Sequence, residues 1–145
     1  MPPRSPDLPC ASLPTDKELV LKVVPMPGDC NANGDIFGGW VMAQVDLAGS
    51  VIPSRLAQGR TATVAVKEFI FKQPVRVGDI LTFFAGVTHV GRTSVTVDVE
   101  VYAENMQRQG HYARVTEATL TYVAIDDVGR PRAIPVANAT ASTAA

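Results

Sequence analysis

Between Ile36 and Pro53 the chain carries one charged residue, Asp46. A carboxylate in so apolar a stretch is costly to bury unless neighbours satisfy it or chemistry requires it. Asp46 closes the run Asn31-Ala32-Asn33-Gly34-Asp35-Ile36-Phe37-Gly38-Gly39-Trp40-Val41-Met42-Ala43-Gln44-Val45-Asp46. Each part of this run also has a plainer reading. Asn31 to Gly34 has the composition of a turn or a helix cap, and Gly38-Gly39 permits close packing against a strand. Asp46 itself fits either a satisfied structural carboxylate or a reactive one. His89 and His111 lie on or beside strands with no partner pattern, and read as structural or solvent-facing.

The elements that must position Asp46 follow from periodicity. Leu19 to Val24 reads as a short strand closed by Pro25 and Pro27, and Gly28 to Gly34 supplies loop chemistry. A helix is expected from near Gly38: Val41, Val45, Ala48 and Ile52 recur at helical spacing, Met42, Gly49 and Leu56 widen the stripe, and Gly59 is placed to end it. So few polar residues imply a central helix covered on most sides. Pro53 removes an interior backbone bond at a cost of about 3 kcal/mol, so a bend or weakened turn is expected near Gly49.

Four strands should follow. Thr61 to Lys72 alternates on Val64 and Val66 and then changes phase to Phe69 and Phe71, as a bulge would produce. Ile80 to Val90 is joined through Gly91-Arg92 to Ser94–Val101, where Val95, Val97, Val99 and Val101 oppose Thr96, Asp98 and Glu100. Tyr112 to Ile125 is the last strand, ended by the turn Asp126-Asp127-Val128-Gly129. The expected fold is α+β, a five-stranded antiparallel sheet around one long helix. An apolar helix and open sheet edges need cover, so a homo-oligomer, at least a dimer formed partly by edge-strand pairing, is expected.

Composition bounds the rest. A chain of 145 residues suits one domain with a real core. Residues 1–16 read as a disordered Pro-rich leader, 17–135 as the folded domain and 136–145 as a flexible tail. Thirteen Lys plus Arg against fourteen Asp plus Glu suggest neither a nucleic-acid surface nor a membrane patch. No stretch approaches the roughly 20 apolar residues of a membrane span. Cys10 and Cys30 offer neither a disulfide framework nor a metal spacing, which fits a reducing cytoplasmic setting, and no cofactor or metal is expected.

The run Asn31 to Asp46, followed by Phe69 through Gly78-Asp79, Gly91-Arg92-Thr93-Ser94, Thr116-Glu117-Ala118 and Arg130-Pro131-Arg132-Ala133-Ile134-Pro135, resembles the hotdog-fold acyl-CoA thioesterases of the YciA type over about Val23 to Pro135. Asn-Ala-Asn-Gly-Asp-Ile-Phe-Gly-Gly-Trp followed by Gln-x-Asp is a restrictive pattern. Pro53, Ala43-Gln44-Val45 and the longer Pro-rich leader depart from it, and none of them touches Asp46.

The resemblance implies hydrolysis of an acyl-CoA thioester at a site between two subunits, with Asp46 as the catalytic carboxylate. A thioester carbonyl is electrophilic enough for one positioned carboxylate to suffice, as general base or nucleophile; burial would favour the base. Unpaired N–H groups of Gly38, Gly39 and Trp40 at the helix start would serve as an oxyanion hole. Asp46 lies roughly 12 Å further along the same helix, so the natural pairing is Asp46 of one subunit with Asp35 to Gly39 of the other. In related two-domain thioesterases an Asn matches Asp35, which gives Asp35 or Asn33 a role in orienting water or the acyl group. Phe71 and Trp40 are candidate acyl contacts. Gly91, Arg92, Thr93, Ser94, Arg130 and Arg132 are the candidates for the CoA phosphates. A hydratase or dehydratase on acyl thioesters would need a His paired with a carboxylate, and a non-catalytic acyl-CoA-binding regulator would bind without turnover.

Overall fold

The computed structural model describes residues 9–135; the first eight residues of the leader and the tail 136–145 lie outside the described residues. Among the described residues the strands and α-helices follow in the order β1 (Glu18–Val23), α1 (Gly38–Gly49), α2 (Val51–Ala57), β2 (Thr61–Phe71), β3 (Asp79–Val90), β4 (Ser94–Asn105) and β5 (Tyr112–Ala124), with a single 3₁₀ turn at Pro27–Asp29 after β1. The strands form one antiparallel sheet in the order β1-β3-β4-β5-β2, so β4 is central and β1 and β2 are the edges. The last part of the expected leader is tied down, since Ala11 N–H donates to Tyr112 O at 2.8 Å.

β4 explains where the core lies. Val95, Val97, Val99 and Val101 are all buried and share one pleat face with Leu120 and Tyr122 of β5 and Leu81 and Phe83 of β3. Against that face sits α1, contributing Val41, Val45 and Ala48. Burying such a side chain stabilises the fold by about 1.5–3 kcal/mol. β4 runs past Val101 to Asn105 because a register shift at Val101/Tyr102 carries the ladder onward after the alternation fails: Tyr102, Ala103 and Glu104 are all buried.

The helical run Gly38 to Ala57 breaks at Ser50. Pro53 has no N–H to give to the Gly49 carbonyl, so the ladder is interrupted there and resumes with Ser54 N–H to Ser50 O at 3.0 Å. The terminating left-handed residue is Gln58, at φ 52°, rather than Gly59. The phase change in β2 is a register shift between Lys67 and Ile70 with Glu68 at φ 50°, and a second shift lies between Thr63 and Ala65.

The helix is less covered within one protomer than its composition suggests. Met42 and Leu47 are exposed, as are Phe37 and, on the edge strand β2, Val64, Val66, Ile70 and Phe71.

Candidate active site

Asp46 lies in the last turn of α1, half-buried, facing β5 and the edge strand β2. Thr63 Oγ1 donates to Asp46 Oδ1 at 2.7 Å. The Tyr122 hydroxyl lies 3.0 Å from the same oxygen and 2.8 Å from the main-chain O of Asp46. Thr63 and Tyr122 are cross-strand partners in the β2–β5 ladder, so register alone delivers both hydroxyls to one point. Tyr122 is 1% exposed; burial first, and then the adjacent Asp46 charge, push its phenol well above the usual tyrosine value. A Cβ on Gly49 would stand 2.5 Å from the Tyr122 hydroxyl oxygen, so glycine there is what admits the phenol to the helix.

Neither Thr63 nor Tyr122 was marked by the sequence. Tyr122 carried a faint signal, because a tyrosine inside a buried strand needs a partner for its hydroxyl. Thr63 carried none.

The loop ahead of α1 is built by turn chemistry. Asn31 Oδ1 accepts from Asn33 N at 2.9 Å and Asp35 N at 3.2 Å, and Gly34 takes φ 84°. Ile36 N–H to Val75 O at 2.8 Å and Phe37 N–H to Asp29 O at 2.9 Å fix the entry to the helix. Asp35 faces Arg76 at 3.8 Å. The first rung of the helical ladder is Val41 N–H to Phe37 O, and no side chain caps Phe37, which leaves the N–H groups of Gly38, Gly39 and Trp40 ahead of the ladder. Gly38 packs under Phe71, whose ring would lie 3.2 Å from an added Cβ. Gly39 faces open space. A depression of about 290 Å³ beside them is lined by Asp35, Gly38, Val41, Phe71 and Val75 among others. Asp46 does not line this depression. Within one protomer the carboxylate and the helix start are thus separate.

The two segments expected to hold phosphates come together. The hairpin closes with Gly91 N–H to Ser94 O at 2.8 Å, Ala124 N–H to Thr93 O at 2.8 Å carries the β4–β5 ladder one rung further, and the C-terminal segment docks on the hairpin through Ile134 N–H to Arg92 O at 2.9 Å. Arg92 and Arg130 are exposed. Arg132 is occupied differently: its Nε donates to Ile125 O at 3.0 Å and its Nη2 to Ala57 O at 2.7 Å, so the guanidinium holds the carbonyl end of α2. His89 is exposed near the end of β3 and His111 precedes β5; neither is a partner of Asp46.

A short helical run laid across a five-stranded antiparallel sheet of this order, with a carboxylate in the helix and glycines at its start, is the architecture of hotdog-fold thioesterases. Residues 33–110 match the Thioesterase superfamily, and the chain belongs to that family. It is 44% identical over 121 residues to the acyl-CoA thioester hydrolase YciA of Escherichia coli K12, covering 82% of this chain and 92% of the relative. Among solved structures it is similar to a hexameric thioesterase from Yersinia pestis, at 46% identity and a TM-score of 0.79, covering 86% of this chain and 99% of that one. It is also similar to a hexameric hotdog fold thioesterase of Campylobacter jejuni, at 36% identity and a TM-score of 0.84, covering 90% and 99%.

Proposed function

We propose that this chain hydrolyses acyl-CoA thioesters to a free carboxylic acid and CoA, in sites shared between copies of a homo-oligomer. Asp46 is the general base. It takes a proton from water as the water oxygen bonds to the thioester carbonyl carbon; the C–S bond then breaks, and the departing CoA thiolate recovers a proton. Charge developing on the carbonyl oxygen is met by the N–H groups of Gly38 and Gly39. Those donors belong to a second copy, because along one helix they stand roughly 12 Å from Asp46.

The observation that carries this reading is the Asp46 carboxylate, held by two hydroxyls in the position where the family's restrictive run ends. The hexameric relatives and the exposed apolar surface of Met42, Leu47, Val64 and Val66 support the shared site. Asp35, which lines the depression that Phe71 borders, or Asn33 in the loop ahead of it orients water or the acyl group, and Phe71 and Trp40 contact the acyl chain. For the CoA phosphates, the exposed Arg92 and Arg130, with Gly91, Thr93 and Ser94 of the hairpin, are the donors, while Arg132 is committed to the carbonyls of Ala57 and Ile125. The enzyme works in the cytoplasm and needs no cofactor of its own, coenzyme A being part of the substrate.

Thiol release from acyl-CoAs of graded length tests the function directly. Hydrolysis by the wild-type oligomer that disappears in a folded Asp46→Asn variant is the expected result. Binding of acyl-CoA with no release of thiol would replace this reading with that of a regulator.

A further inference from the structure

We propose that Arg76 is a positioning residue for the reaction: it holds the Asp35 carboxylate and answers its charge, so that no net negative charge stands beside the oxyanion donors Gly38 and Gly39. This rests on the reading of those two N–H groups as the oxyanion site.

The geometry supplies the pair and its frame. Asp35 comes shortly before Gly38 in the chain and lines the same depression of about 290 Å³. Arg76 Nε stands 3.8 Å from Asp35 Oδ1, an ion pair rather than a hydrogen bond, and the two side chains are only 23% and 34% exposed. Beside them Ile36 N–H donates to Val75 O at 2.8 Å, so the two backbones are joined where the two charges meet.

Arg76 is itself fixed. Asp79, 1% exposed, accepts Arg76 N–H on Oδ2 at 2.9 Å and gives its own N–H to Arg76 O at 3.1 Å, closing a tight turn through Gly78 at φ 96°. Met106 N–H to Gly78 O at 2.9 Å and the pairing of Asp79 with Asn105 anchor that turn to the sheet. Lys72 also lines the depression, but its Nζ lies 3.3 Å from Glu117 and answers a different carboxylate.

Charge decides what this arrangement can do. A carboxylate without a countercharge at Asp35 would oppose the negative charge that grows on the thioester oxygen, and in a partly dry site that repulsion reaches several ångströms. A shared site adds Asp46 of the neighbouring copy, which sharpens the same conflict. Removing one member of a partly buried pair leaves the other charge uncompensated, so the effect of losing Arg76 should depend on Asp35 being charged.

The test uses the full-length oligomer with a short acyl-CoA and the matching acyl-pantetheine. Arg76→Gln removes the charge at similar length, and Arg76→Lys keeps it. Arg76→Gln should lower kcat about 10- to 100-fold on both substrates with KM within about threefold, because the repulsion is felt in the transition state. Arg76→Lys should stay within about fivefold of wild type. Added to Asp35→Asn, which leaves no charge to answer, Arg76→Gln should cost less than about twofold further. An equal loss with and without Asp35→Asn would make Arg76 a structural residue and overturn the proposal. KM raised for acyl-CoA alone would make it a phosphate ligand and overturn it too. Wild-type kcat in folded Arg76→Gln, with Asp46→Asn inactive, would overturn this inference and leave the role of Asp46 standing. An active Asp46→Asn protein would overturn that role itself.

Discussion

The Tyr122 hydroxyl touches Asp46 twice, at 2.8 Å from its main-chain O and 3.0 Å from its Oδ1, although 76 residues separate them. One phenol thereby ties the last turn of α1 to the middle of the sheet and sets the height of the carboxylate above β5.

That contact has an alkaline consequence. Burial and the neighbouring Asp46 charge raise the Tyr122 phenol, and burial together with Glu100 pushes Tyr102 up to about 12, against about 10 in an unfolded chain. A group whose folded pKa is raised contributes stability that is intact below pH 10 and is lost as pH climbs from there towards the folded value. Thermal unfolding followed against pH should therefore show a decline beginning near pH 10. Tyr122→Phe, although less stable at neutral pH, should lose less stability across that interval.

Asp46→Asn should lower kcat for acyl-CoA by about 10²- to 10⁴-fold, the range that general-base catalysis spans. The amide keeps an oxygen to accept from Thr63 and Tyr122, so the melting temperature and assembly should change little. Turnover near wild type in the folded variant would remove Asp46 from the mechanism.

Arg92 and Arg132 should separate cleanly. Arg132→Ala loses two bonds from a charged donor to the carbonyls of Ala57 and Ile125 and should destabilise the fold by about 1.5–3 kcal/mol, read as a lower melting temperature. Arg92→Ala should leave stability alone and raise KM for acyl-CoA with kcat nearly intact, since phosphate contacts act on ground and transition states alike. An acyl-pantetheine, which lacks the nucleotide phosphates, should not sense Arg92→Ala.

Val66→Lys places a charge on the exposed edge strand β2, the arrangement by which proteins block edge pairing. Sedimentation should show smaller species, and on the proposed shared site activity should fall with them. A fully active monomer would contradict the shared site.

Gln58→Gly should stabilise the chain by about 0.5–1 kcal/mol, since Gln58 occupies a left-handed conformation at the end of α2 that glycine adopts without a steric cost. Chemical denaturation of wild type and variant measures it.

Much of this protein was written in local order. Valine alternation from Val95 to Val101 specified a half-buried strand, because side chains two apart must share a face. The helical recurrence of Val41, Val45 and Ala48 specified the helix, and Pro53 its interruption, because a missing N–H is a local fact wherever the chain folds. Asp46 stood out for the same kind of reason, as an isolated charge that apolar neighbours cannot solvate. Tertiary structure alone decided what surrounds it. Thr63 and Tyr122 reach Asp46 only through the pairing of β2 with β5 and the docking of α1 on that ladder, contacts 17 and 76 residues apart. It likewise assigned Arg132 to the end of α2, because the direction a flexible guanidinium takes depends on which carbonyls the fold leaves within reach.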